Sequence, residues 1–145
     1  MIGPFRDENR YLSNFYISPF EINGVKYRTV EHFYQSMKTV IPGERVQVIN
    51  ANSPGNAKRL GRNVTIRNDW DEVKIWVMTL GVYSKFSQNR HLADKLLATG
   101  GEELVELNNW HDNYWGYCSC RKCINVKSRN KLGKTLMLVR NLLKG

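Results

Sequence analysis

The decapeptide T-V-E-H-F-Y-Q-S-M-K, Thr29 to Lys38, carries an acid, an amide and an amine at i, i+4 and i+7: Glu31, Gln35 and Lys38. On a helix this spacing lines the three up on one side, while Val30, Phe33, Tyr34 and Met37 form a separate apolar stripe. Seven residues make nearly two turns, so Glu31 and Lys38 would stand about 10 Å apart along the axis with Gln35 between them. That separation is too long for a direct ion pair and suits two groups meeting opposite ends of one small ligand. Spacing alone favours a solvated polar face, the commoner fate of such a stripe.

Asp112, in W-H-D-N-Y-W-G, is the second carboxylate of interest. Two carboxylates around a ribosyl C1′ can support N-glycoside cleavage, one handling water and the other stabilising an oxocarbenium-like transition state. Asp112 is equally suited to a turn, where its side chain bonds the backbone two positions on. Trp70, Trp110, Tyr114 and Trp115 are available to stack on a base, whereas Trp76 falls in an apolar stripe and is expected in the core. His32, His91 and His111 lack the spacing of a metal-binding helix and read as hydrogen-bonding or surface histidines. Cys118, Cys120 and Cys123, in C-S-C-R-K-C, have a spacing that suits a soft metal, with His111 a conceivable fourth ligand. Paired C-x-x-C knuckles are absent, so structural zinc is one reading of the cysteines beside reduced thiols, and no catalytic metal or cofactor is expected. Lys58, Arg59 and Arg62 lie together near a helix start and suit a pyrophosphate. Arg121, Lys122, Lys127, Arg129, Lys131 and Lys134 form a second basic run that suits a nucleic-acid backbone. Solvated surface charge is the plain alternative for both.

The chain that positions these groups has 145 residues, a length expected to form one domain burying about two thirds of its unfolded surface. Its 22 Lys and Arg against 13 Asp and Glu give a formal charge of +9, which attracts phosphates without choosing between nucleotides and nucleic acid. No apolar run approaches the roughly 20 residues of a membrane span, and the N-terminus lacks the apolar core of a signal peptide. Three clustered cysteines do not form a secreted disulfide framework. The expectation is a cytosolic protein without a membrane partner.

Alternation on both sides of Asn23-Gly24, with Phe20 and Ile22 before and Val25 and Tyr27 after, predicts a β-hairpin with a type I′ turn. Thr29 is the expected N-cap of the following helix, with Pro42-Gly43 ending it. A second helix is expected from Glu44 to about Asn50, and a third opens with Ser53 as N-cap, Pro54 at its first position and Gly61 as its stop. Asp69 would cap a long helix from Trp70 to about Ser87, buried through Val73, Trp76, Val77, Leu80, Tyr83 and Phe86. Asn89 would cap another, through Leu92, Leu96 and Leu97, closed by Gly100-Gly101. Residues 103–107, E-L-V-E-L, are a candidate edge strand, Asn108 to Cys118 an ordered loop, and Asn130 to about Leu143 a final helix with Leu132, Leu136, Val139 and Leu143 inward.

Taken in order, Y-L-S-N-F-Y, the Asn-Gly hairpin, T-V-E-H-F-Y-Q-S-M-K, A-K-R-L-G-R, D-W-D-E-V-K-I-W-V-M, K-F-S-Q-N, L-L-A-T-G, E-L-V-E, D-N-Y-W-G and N-K-L-G-K-T-L-M-L-V-R resemble the NADAR family of YbiA-like domains. No single piece is decisive, but the ordered set spans nearly the whole chain. The resemblance implies a mainly helical α+β domain that hydrolyses N-glycosidic bonds of ribosylated substrates, either removing ADP-ribose from guanine bases or cleaving phosphoribosylated riboflavin-pathway intermediates. It implies Glu31 as the functional acid, Asp112 as second carboxylate, and Lys38 as the lysine of the Glu-bearing helix, where an amine can capture an opened ribose as an imine. Trp70 and Trp115 would stack on the substrate, and Asn14, Gln35, Lys58 and Arg59 complete the expected binding set. On this reading the polar stripe is a pocket wall. The segment C-S-C-R-K-C-I-N-V-K-S-R stands outside the family pattern and bears on the far rim of that pocket.

Overall fold

The computed structural model describes residues 1–145. The chain divides into two compact units, one formed by Asn14–Asn89 and the other by Met1–Ser13 with Arg90–Gly145. The fold class is α+β and predominantly helical, with two small two-stranded sheets.

The central unit begins with the hairpin β1 (Phe20–Ile22) and β2 (Val25–Tyr27), antiparallel with Phe20 opposite Tyr27. Asn23 and Gly24 both take positive φ, 51° and 80°, which is the turn that their identities predict. Phe20 and Tyr27 meet Phe33 of α1 (Val30–Ser36) at ring distances of 6.1 and 4.9 Å, so the hairpin lays its aromatic face on this helix. Thr29 caps α1 as expected: its hydroxyl oxygen accepts from the His32 amide.

α1 also packs against α2 (Pro42–Ile49), α3 (Pro54–Gly61) and α4 (Trp70–Ser87). Surrounded in this way, all seven of its residues are buried, including Glu31, His32 and Gln35. His32 is satisfied by the Thr29 hydroxyl at Nδ1 and the Ala51 carbonyl at Nε2. Pro42-Gly43 does not end α1. The helix closes at Met37, and Pro42 opens α2 from its first turn, where a missing N–H costs nothing. Lys38 therefore sits in the turn after the helix, its amide donating to the Gln35 carbonyl.

α4 has the expected bounds, but its buried face is rotated from the expected stripe. Trp76 is 76% exposed and Leu80 and Tyr83 are exposed, while Met78, Gly81, Val82 and Lys85 are buried beside Val77 and Phe86. Gly81 gives the reason. A Cβ there would lie 2.9 Å from the Phe33 ring and 3.2 Å from Val30, so α4 meets α1 at a position that has no side chain. Large apolar side chains mark the expected inward face, and the close approach at Gly81 turns a different face inward. Asp69 stands at the N-cap position without capping, because Arg67 takes its carboxylate in a two-point ion pair.

In the second unit, α5 (Arg90–Ala98) packs on α6 (Lys131–Lys144), burying Leu92 and Leu96 against a face that holds Leu132, Leu136 and Val139. The stretch 103–107 is not one edge strand. Its start bridges Ile2 in parallel at Leu104, and its end becomes β3 (Leu107–Asn108), parallel to β4 (Tyr117–Cys118). Buried Leu104 and Val105 make this segment interior rather than marginal. No helix is long and apolar enough to cross a membrane.

Candidate active site

Within the central unit, Glu31 and Gln35 lie one turn apart on α1, and the Gln35 amide donates to Glu31 Oε2 at 2.7 Å. Both are buried, at 7% and 4% exposure, so the solvated-face reading fails: this stripe is interior. The Glu31 amide donates to the Asn14 carbonyl, and the Asn14 side chain reaches Met78 Sδ at 3.3 Å, which ties the segment before the hairpin to the start of α1 and to α4.

With its nitrogen facing the carboxylate, the Gln35 amide turns Oε1 toward α3. There Gly61 is required, because a Cβ would fall 2.0 Å from that oxygen. Gln35 Oε1 is buried with no hydrogen-bond partner. Such an acceptor costs about 1–3 kcal/mol, and it is retained on a side chain whose other end fixes the orientation of Glu31. Gln35→Met should therefore lower turnover at least about tenfold, since Glu31 loses its positioning donor, and should lower the melting temperature as well, since taking a donor from a buried carboxylate costs more than removing the orphan acceptor returns. Thermal melts and initial rates on the same preparation check both halves.

Lys38, half-buried in the turn after α1, has its ammonium pKa pushed below the usual lysine range. Burial is the main cause, Glu31 opposes it, and the cationic charges of Arg62 and Lys58 add to it. Lys38, Lys58, Arg62 and Glu31 thus share one electrostatic neighbourhood although Lys38 has left the helix. Its Nζ lies 5.9 Å from the Tyr34 ring, and Tyr34 in turn packs on Trp70 at 5.0 Å with a tilt of 58°. Trp70, the first residue of α4, is buried and held by this aromatic contact.

Lys58 and Arg59 occupy the last turn of α3, not its start, so any phosphate there meets side chains rather than a helix N-terminus. Lys58 is half-buried toward Lys38 and Arg59 is exposed. Arg62, the C-cap of the same helix, shares the electrostatic neighbourhood of Lys38 and Lys58.

Lys85 is a buried amine that the periodicity of the sequence conceals. It is 1% exposed, and burial pushes its amine down to about 7. Its Nζ stands 4.9 Å from the Phe86 ring and 5.8 Å from the Tyr16 ring. A lysine inside an apolar stripe reads as a misplaced surface residue, and only the packing exposes its state.

Asp112 and Trp115 belong to the other unit. Asp112 Oδ1 accepts from the amides of Tyr114 and Trp115, at 3.1 and 2.9 Å, so the turn reading of this residue holds. The turn is braced by Asn108, whose side chain accepts from the Trp110 and Asp112 amides and donates to the Asp112 carbonyl. Trp115 is half-buried, edge-on to Tyr114 at 4.9 Å. Trp110 is 60% exposed.

The model of the NADAR domain matches residues 3–144 of this chain. The chain is 40% identical over 133 residues to an N-glycosidase of Nostoc punctiforme, covering 88% of this chain and 81% of that protein. It is 36% identical over 140 residues to a riboflavin biosynthesis protein of Vibrio vulnificus, covering 94% of this chain and 36% of that protein. Among solved structures, the NMR structure of the Escherichia coli protein YbiA is similar with a TM-score of 0.85 and 32% identity, over 99% of this chain and 83% of that one.

Proposed function

Because the chain belongs to the NADAR domain family, we propose that it is an N-glycosidase of ribosylated bases, and that its substrate is guanine carrying ADP-ribose, in nucleic acid or in a nucleotide. The observation that carries the reading is the buried carboxylate of Glu31, held by Gln35 and electrostatically coupled to the amine of Lys38, which the charges of Lys58 and Arg62 also influence. A buried acid among cations, next to the Tyr34–Trp70 pair, suits a phosphorylated ribose joined to an aromatic base. The N-glycosidase name of the Nostoc relative supports the reaction class.

In the reaction, the bond between C1′ and the base nitrogen breaks with its electron pair leaving on the base. Water adds at C1′, and the proton that it sheds passes to Glu31 and on to the departing base. Lys58 and Arg62 hold the diphosphate, with Arg59 at the exposed end, and Trp70 flanks the ring system. Lys38, whose ammonium burial holds below the usual lysine range, is suited either to bind the sugar or to form an imine with the opened ribose. The exposed run Arg121, Lys122, Lys127, Arg129 and Lys134 supports a substrate carried on nucleic acid.

A second reading is hydrolysis of a phosphoribosylated aminopyrimidine, favoured by the name of the Vibrio relative. Incubation with a guanine-ADP-ribosylated oligonucleotide, free ADP-ribosyl guanosine and a phosphoribosylaminopyrimidine, with released sugars identified by mass, separates the two. ADP-ribose is the expected product, whereas ribose 5-phosphate from the third substrate alone transfers the assignment to the second reading. Borohydride added during turnover tests the imine: a reduced adduct on Lys38 supports it, and an active enzyme that never traps rejects it.

A further inference from the structure

Outside the groups used above, the second unit brings together three thiols and an imidazole. The donor atoms of His111, Cys118, Cys120 and Cys123 all lie within 4.8 Å of one another. His111 Nδ1 stands 4.0, 3.2 and 3.5 Å from the sulfurs of Cys118, Cys120 and Cys123. In a tetrahedral zinc site, with bonds of about 2.3 Å to sulfur and 2.0–2.1 Å to nitrogen, nitrogen and sulfur are roughly 3.6 Å apart. The cluster therefore already has the size of that coordination shell. We propose that these four residues bind one structural zinc ion.

The surroundings fit a metal better than a chance gathering of thiols. All three cysteines are free. His111 adopts φ 71°, an unusual backbone for a residue with a Cβ. In that conformation its amide donates to Cys118 Sγ at 3.3 Å while its ring faces all three sulfurs. An amide donor on a ligand sulfur is a typical support for a thiolate. Cys118 is fixed on β4, and the Asn113 side chain accepts from its amide. Cys120 and Cys123 bracket a single 3-10 turn, Arg121–Cys123, whose Arg121 and Lys122 are exposed. Those two cations offset the negative charge that three thiolates leave around a divalent ion. Soft sulfur donors with one imidazole and no oxygen select zinc over magnesium or calcium, and four protein ligands make a closed, non-catalytic site. The ion would clip the segment 118–123 to the residue next to Asp112, so the carboxylate-bearing turn is held from both ends.

Protein expressed with zinc in the medium and purified without chelator or a polyhistidine tag should hold one zinc per chain by elemental mass spectrometry. Cobalt exchange of the wild-type protein should give intense tetrahedral bands with sulfur-to-metal charge transfer, a readout that needs no variant to fold. Cys120→Ser should lose most of the bound zinc. Treatment with EDTA should raise the rate of tryptic cleavage after Arg121 or Lys122 at least about tenfold, because cleavage follows the population of the opened loop. Absence of bound zinc, iron in its place, cobalt spectra without sulfur charge transfer, full zinc in Cys120→Ser, or cleavage indifferent to EDTA would each overturn the proposal.

Discussion

Glu31→Gln is expected to lower release of the base from a ribosylated substrate by about 10³-fold or more, with substrate affinity changed only a few-fold. General acid–base groups contribute about 10²–10⁴ in rate, and a thousandfold loss corresponds to about 4 kcal/mol of transition-state stabilisation. The substitution keeps the volume of the side chain and leaves Gln35 an amide partner at hydrogen-bonding distance, so α1 keeps its packing. What disappears is a carboxylate able to take a proton from water. The same substitution separates an enzyme from a module that only binds ADP-ribose: a binding module has no turnover to lose. Single-turnover rates with titrated affinity decide the matter, and a variant that turns over within tenfold of the parent would remove Glu31 from the chemistry. Asp112→Asn is the companion measurement. Its Oδ1 can still accept from the Tyr114 and Trp115 amides, so a rate loss there reports the carboxylate charge and not the turn.

Lys85→Met should remove a pH dependence of stability that the parent shows between about pH 7 and 10. The Lys85 amine titrates near 7 in the folded chain against 10.5 when exposed. Between those values the unfolded chain carries the extra proton, so stability rises with pH across the window and the contribution is lowest at and below pH 7. At about 1.4 kcal/mol per unit the full span is on the order of 5 kcal/mol. Methionine keeps the length and flexibility of the side chain without a charge to desolvate. Urea midpoints measured from pH 7 to pH 10 should climb for the parent and stay comparatively flat for the variant. Parallel slopes for the two proteins would mean that Lys85 is solvated or compensated in solution. Evolution tolerates so costly a buried amine where the group has a use, which makes the activity of the same variant worth recording beside its stability.

The amino-acid sequence by itself determined the features that depend on a few adjacent residues. Asn23-Gly24 specifies its turn because only such a pair accepts two positive φ angles cheaply. Ser53-Pro54 starts a helix for an equally local reason, whereas Gly61, the last residue of that helix, is fixed by its contact with Gln35, and the bounds of α4 follow from its own pattern. Family membership was also legible, since the order of many short segments survives where no one segment is distinctive. Pro42 opens α2 where the sequence predicts the end of α1, because the missing N–H that breaks a helix interior costs nothing in a first turn. The tertiary structure alone decided what is buried. Glu31 and Gln35 look like a surface stripe until the hairpin, α2, α3 and α4 close around α1. Trp76 looks like core and Lys85 like surface until Gly81 sets which side of α4 meets Phe33. Likewise, His111 is merely near the cysteines in sequence, and only a left-handed residue in a braced turn points it at them. Backbone preferences are settled within a turn or two of chain, whereas burial, and with it the charge state of an acid or amine, depends on every element that packs around the residue.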